Sequence, residues 1–246
     1  MKKLIIVILS VALGFSGLAQ SNETRSLNSF SQLSVGNSIQ LIMEKGNENS
    51  VRIETSGVDV DKVLTNISGS GLSIFMKNGN YRSIKVNVFL TYTEALESVR
   101  ASNSSSIKAL SLIESEELYV QAINSAKIDM TAETKALEIQ VMNSGKVILE
   151  ANTETLDVNV INSGKLTLSG RTGSQKFKVM NSGHFMAYDM KSERAVANMS
   201  SSGKAEICVS KELVADAMNS SRISYKGNPE KVLVDAGNSA RVSKAN

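Results

Sequence analysis

The chain is poor in the residues that usually fasten or furnish a protein. Among 246 residues there is one cysteine, one proline, one histidine and no tryptophan, and aromatics make up 4%. Cys208, being alone, cannot close an intramolecular disulfide, so burial and hydrogen bonding must hold the chain together, and the thiol is expected to be inert. With a single histidine there is no Cys/His cluster at metal-ligand spacing, and neither a phosphate loop nor a serine-nucleophile elbow is present. No cofactor or metal is therefore expected. Excess charge is also missing: without Lys2 and Lys3 the chain carries 25 basic and 24 acidic side chains, a balance that argues against a nucleic-acid partner. Scarce aromatics and one proline suit narrow cores of small and β-branched side chains inside continuous strand ladders.

The first 19 residues are expected to be a cleaved export signal. Lys2 and Lys3 precede an apolar run over 4–13, with the small residues Gly17 and Ala19 before Gln20. That run is too short to span a bilayer, no cysteine follows Ala19 to carry a lipid, and no later stretch reads as a transmembrane helix. An exported protein is expected, periplasmic, attached to the outer surface or extracellular.

What the sequence does have is repetition. Asn143-Ser144-Gly145-Lys146 recurs as Asn162-Ser163-Gly164-Lys165 and Asn181-Ser182-Gly183-His184. Looser copies begin at Asn124, Ser201, Asn219 and Asn238, and a weaker one is Asn103-Ser104-Ser105. Successive copies start 21, 19, 19, 19, 20, 18 and 19 residues apart. A fixed period of that size marks a solenoid. Counting from the first residue of each copy, offsets four and six are apolar in most copies, as in Val147 and Leu149 or Leu166 and Leu168. Offsets thirteen, fifteen and seventeen repeat the pattern, as in Leu156, Val158 and Val160 or Val232, Val234 and Ala236. Polar connectors such as Asn152-Thr153-Glu154 lie between the two runs and have turn composition. Each repeat thus reads as strand, polar bend, strand, Asn-Ser-Gly bend: one rung of a flattened, two-sheet parallel β-helix. Apolar sites two apart exclude a helical solenoid, and the repeats have neither the helical or extended convex segment nor the Asn within an L-x-L frame that a leucine-rich repeat needs.

Three parts are expected: the signal over 1–19, an N-terminal β part with early rungs and a cap over 20–101, and the repetitive β-helix over 102–246. In the middle part, alternation predicts strands over 38–44, 51–55, 72–77, 84–91 and 96–101, with a short helical segment within 58–66. Gly36-Asn37-Ser38 echoes the later motif.

Two columns carry the chemistry. Asparagines at one place on successive rungs can hydrogen-bond along the stack. Offset three is Lys127, Lys146, Lys165, His184, Lys204, Arg222 and Arg241, a basic side chain in seven consecutive rungs. Like charges stacked on adjacent strands repel. They are read either as a solvated edge that keeps the body soluble, or as a linear cationic stripe for an acidic polysaccharide or other envelope polymer. Carboxylates are arranged more thinly. Glu138 and Asp157 share an offset on adjacent rungs, as do Asp216 and Asp235, which leaves a pectin-lyase-like carbohydrate-active β-helix as the alternative reading. No catalytic residue is assigned, and association of identical chains is compatible with the pattern.

From Phe30-Ser31-Gln32-Leu33-Ser34-Val35 and Ser38-Ile39-Gln40-Leu41, through Leu72-Ser73-Ile74 and Lys85-Val86-Asn87-Val88, to the repeated bends, the chain resembles the head GIN domain family, auto-transporter adhesin-like proteins of Bacteroidetes-type bacteria. The resemblance implies an exported, non-enzymatic β-helix with a role in adhesion. Family bends usually read Gly-Ser-Gly; here Asn replaces the first glycine and a basic residue follows.

Overall fold

Side chains of a strand alternate between its two faces, so a rung whose apolar residues stand two apart can bury all of them only by folding back on itself. The computed structural model, which describes residues 20–245, has this architecture; the expected signal lies outside the described residues. In chain order the first strands are β1 (Gln20–Ser26), β2 (Gln32–Val35), β3 (Gln40–Lys45), β4 (Ser50–Ser56), β5 (Val63–Ser68), β6 (Gly71–Met76), β7 (Lys85–Tyr92), β8 (Ser98–Ala101) and β9 (Ser106–Ala109). The repeats supply β10 (Ile113–Ile123), β11 (Lys127–Met142), β12 (Lys146–Ile161), β13 (Lys165–Met180), β14 (His184–Met199), β15 (Lys204–Ala217), β16 (Arg222–Lys226), β17 (Lys231–Ala236) and β18 (Arg241–Lys244). The chain is an all-β solenoid of about eight turns.

Within the repeats, successive rungs pair in parallel, so that Lys127 stands beside Lys146, Lys146 beside Lys165, and Val147 beside Leu166. Inward residues form columns: Val147, Leu149 and Ala151 on one sheet face Leu156, Val158 and Val160 on the other, all buried. Column volumes compensate. Phe177 and Phe185 pack with ring centroids 5.2 Å apart, while Ala187, Ala195 and Ala197 make room in the same region of the core.

The polar connectors are not the breaks their composition suggests. Each of β11 to β14 runs unbroken for 16 residues around the second corner. There Thr134, Thr153, Thr172 and Ser192 turn inward and are buried. Burial is tolerated because the hydroxyls are satisfied: Thr134 donates to Thr153 Oγ1 (3.0 Å), Thr153 to the Thr155 carbonyl (2.9 Å), Thr172 to the Ser174 carbonyl (3.0 Å) and Ser192 to the Cys208 carbonyl (2.8 Å). The strand opens at this corner in the first and last copies, at Leu110-Ser111-Leu112 between β9 and β10 and at Gly227-Asn228-Pro229 between β16 and β17. Pro229 has no N–H for the ladder, which explains its confinement to this loop.

The N-terminal half contains the expected strands within two residues, but not in spatial order. The β2–β3 rung lies between two later ones: β2 pairs with both β6 and β8, and β3 with both β7 and β9. The segment within 58–66 holds one 3-10 turn, Val60–Lys62; Val63 then enters β5, because its side chain is buried in the core. Antiparallel strands close this end, β1 on β4 and β5 on β6. Arg25 of β1 links the two sheets of the cap, donating to the Val63 carbonyl (2.7 Å) and to Thr65 Oγ1 (3.1 Å).

One core position departs from the pattern. Gln175 occupies the inward site held by Leu137 and Leu156 in the preceding rungs. Its amide donates to Ser192 Oγ at 2.8 Å, but its Oε1 is buried without a partner. A buried unpaired acceptor costs roughly 1–3 kcal/mol. Gln175→Leu is therefore expected to raise the melting temperature by about 2–4 °C for each kcal/mol recovered, measured by calorimetry; an unchanged or lower value would show that the amide is not a burden.

Candidate functional site: the Asn-Ser-basic edge

The edge begins with backbone geometry. At every Asn-Ser corner both residues are left-handed, for example Asn143 at φ 50° and Ser144 at φ 62°. The Gly145 N–H donates to the Met142 carbonyl at 2.9 Å, closing a tight turn. Two positive φ values in succession define the type I′ turn, which reverses a strand sharply. Gly145 itself is not left-handed. Its place is a close approach, since a Cβ there would lie 2.3 Å from the Ala122 carbonyl oxygen one rung back; the looser copies hold Ala126, Ser221 or Ala240 in the same turn. The echo at Asn37-Ser38 is a genuine corner of the same kind, with φ of 58° and 59°.

The left-handed pair also points main-chain groups along the stack. Ser125, Ser144 and Ser163 each donate their N–H to the corner carbonyl of the next rung, at 3.0 Å. Side chains add a second line of bonds. Asn124 donates to Asn103 (3.0 Å), Asn143 to Asn124 (3.0 Å), Asn162 to Asn143 (3.0 Å) and Asn181 to Asn162 (2.9 Å). Ser201 interrupts the amide ladder, which resumes with Asn238 on Asn219 (3.2 Å). The ladder lies on the exposed rim of the corner rather than inside it.

Beside the asparagines run two outward columns. One is the predicted basic column: all seven residues are in direct register, and Lys127, Lys146, Lys165, Lys204, Arg222 and Arg241 are exposed. At about 4.8 Å per rung it is roughly 29 Å long. None of those six forms an ion pair among the described residues. His184 differs: it is half-buried, with Nε2 lying 3.7 Å from Glu206 Oε1 and lacking a hydrogen-bond partner. It divides the column into two cationic triplets. The second column was not anticipated. Ser104, Ser125, Ser144, Ser163, Ser182, Ser202, Ser220 and Ser239 are exposed, one per rung, and among the described residues their hydroxyls make no hydrogen bond. The signal is in the motif itself, which carries a serine in second place in every copy.

The carboxylate pairs lie elsewhere. Glu138 stands beside Asp157 and Asp216 beside Asp235, on the outer face of the opposite sheet, and no group of three or more His, Cys, Asp or Glu side chains suited to a metal occurs among the described residues. Nor is any described helix long and apolar enough to cross a membrane.

A family described as "Putative auto-transporter adhesin, head GIN domain" matches residues 29–229. The chain belongs to this family. Solved structures with the same fold include an adhesin-like protein of Parabacteroides merdae (TM-score 0.83, 18% identity, covering 92% of this chain and 96% of that one). Another, from Parabacteroides distasonis, has a TM-score of 0.81 at 16% identity, covering 92% and 97%. A third, from the same species and described as a "Putative lipid binding protein", has a TM-score of 0.78 at 20% identity, again covering 92% and 97%. No functionally curated protein shows significant similarity. At these identities the neighbours establish the head GIN fold and leave the ligand of this member open.

The corner makes a specific demand on Asn162. Alanine there loses two ladder bonds and keeps the left-handed strain, whereas glycine loses only the bonds. Asn162→Ala should cost about 2–3 kcal/mol and Asn162→Gly about 1 kcal/mol less than that. Urea denaturation measures both, and equal stability of wild type and alanine variant would remove the corner argument.

Proposed function

We propose that this head GIN protein is an exported, non-enzymatic adhesion module that binds an acidic envelope or surface polysaccharide along its Asn-Ser-basic edge. One observation carries the reading: the basic side chains stand in unbroken register while six of the seven are exposed and, among the described residues, without an ion-pair partner. A row of like charges without counter-ions is an unfavourable arrangement for the free protein, and an anionic polymer lying along it would relieve the repulsion. The serine hydroxyls next to it supply donors and acceptors for carboxylate, sulfate or sugar hydroxyl groups. The family's adhesin description and the signal-like first 19 residues fit a protein working outside the cytoplasm.

The test uses polygalacturonate and heparin as immobilised acidic polymers. The wild-type chain should bind in low salt and be released as salt shortens the screening length toward ~3 Å near 1 M. Replacing Lys146, Lys165 and Lys204 together with Gln should weaken low-salt binding about tenfold or more, with a melting temperature unchanged or slightly higher. Failure of the wild type to bind either polymer, or equal binding by the variant, would refute the assignment.

A further inference from the structure

The two ends of the solenoid are finished differently. At the N-terminal end, antiparallel strands and Arg25 cover the core, and β1 shows solvent mostly polar side chains. At the other end β17 covers β15 and β18 covers β16, and among the described residues nothing covers β17. Its inward residues Val232 and Val234 are 41% and 46% exposed, and outward Leu233 is 49% exposed. Their counterparts one rung earlier, Leu213 and Ala215, are buried. An exposed apolar edge strand is a template for another strand.

We propose that β17 is the seam of a two-fold symmetric, end-to-end dimer, in which it pairs antiparallel with β17 of a second copy of this chain. The residues select both partner and register. The Gly237 N–H donates to the Ala217 carbonyl at 3.0 Å. Peptide groups alternate along a parallel strand, so those of Lys231, Leu233 and Asp235 face β15, and those of Val232 and Val234 face the open edge. A two-fold axis at Leu233 sets Val232 opposite Val234 of the copy as hydrogen-bonded pairs, with all four valines continuing the core. It also sets Leu233 against its own counterpart and Lys231 against Asp235 of the copy, in the closer, non-hydrogen-bonded positions. Shifting the pairing by two residues in either direction would put Lys231 or Asp235 opposite Leu233 and lose that match.

A second observation supports the register. Asp235 stands beside Asp216 in the ladder, two like charges on neighbouring strands, while Lys231 already holds Glu212 at 2.7 Å. Bringing Lys231 of the copy opposite Asp235 supplies the cation that the acidic pair lacks. The apolar stripe Val196, Val214 and Leu233 on the outer face would then run across the seam. Because the contact is isologous and the opposite end is capped, association stops at two chains and does not form a fibre.

Analytical ultracentrifugation of the mature chain, residues 20–246, over a concentration series tests this. The wild type is expected to be a dimer in equilibrium with monomer. Asp235→Lys relieves the clash with Asp216 within each chain, so the fold is retained, but it opposes two lysines across the seam and should weaken the dimer by about tenfold or more. Adding Lys231→Glu to Asp235→Lys reverses both signs and should restore it. Independently, Leu233→Cys in a Cys208→Ser background should oxidise to a covalent dimer across the axis, whereas Lys231→Cys should not. A monomeric wild type, a dimer indifferent to Asp235→Lys, no rescue by the double reversal, or equal cross-linking at both cysteine positions would each overturn the proposal.

Discussion

Everything in this protein hangs on a corner two residues wide. Asn and Ser in succession at positive φ reverse the strand within one tight turn, and the following glycine lets the rung settle against the one before it. The same geometry directs the serine N–H along the axis, so the corner closes its own rung and bonds to the next. Every rung that shares the corner is thereby held in register, which turns side-chain alternation into continuous core columns and turns one repeated basic residue into a line of charge. Backbone strain at the turn is offset by bonds that only a stack can provide, so the rung and the solenoid are stable together or not at all.

Much of this could be read in the residues because the repeat states its own period. The alternation at Val147, Leu149, Leu156, Val158 and Val160 gave the inward faces, and the spacing of the Asn-Ser motif gave the register that later aligned Lys127 with Lys146 and Lys165. What composition misread was the second corner. Thr153 and Thr172 look like surface turn residues, yet their hydroxyls reach main-chain carbonyls both two residues on and one rung back, and so can be buried; which way a small polar side chain faces depends on partners that only the folded corner brings within reach. At the first corner asparagine and serine take the left-handed turn, and glycine answers to a close approach. In the N-terminal half the strands were legible but their neighbours were not, because the order of rungs in space departs from the order in the chain. Within the edge, the cationic column was visible as a sequence column; the free serine hydroxyls beside it, and the withdrawal of His184 toward Glu206, needed side-chain geometry.

The solenoid has a chemical polarity as well as a directional one. Amide side chains on the rim all donate toward the N-terminal end, and the one gap in that ladder, at Ser201, adjoins the rung where His184 interrupts the exposed cations. The rim is thus two stretches of similar build on either side of the half-buried histidine. The outer face of the opposite sheet is different in kind, with carboxylates, Lys176 and Lys178, and an apolar stripe toward β17. One body therefore presents a cationic hydroxyl-rich edge, a mixed face and two unlike ends, built from a repeat of about nineteen residues.

The displaced first rung also sets the order in which the molecule can assemble. During synthesis β2 and β3 emerge early, but the strands that flank them lie between Gly71 and Ala109, so the rung has no lasting partners until that stretch is available. Loop-closure entropy must be met before those pairings return anything, which makes this end the slow one. The later repeats have no such requirement, since each new rung can lie directly on its predecessor. The regular part of the solenoid can therefore grow by addition, whereas its N-terminal end has to be closed like a clasp, with the chain passing out over the first rung and back before the cap is shut.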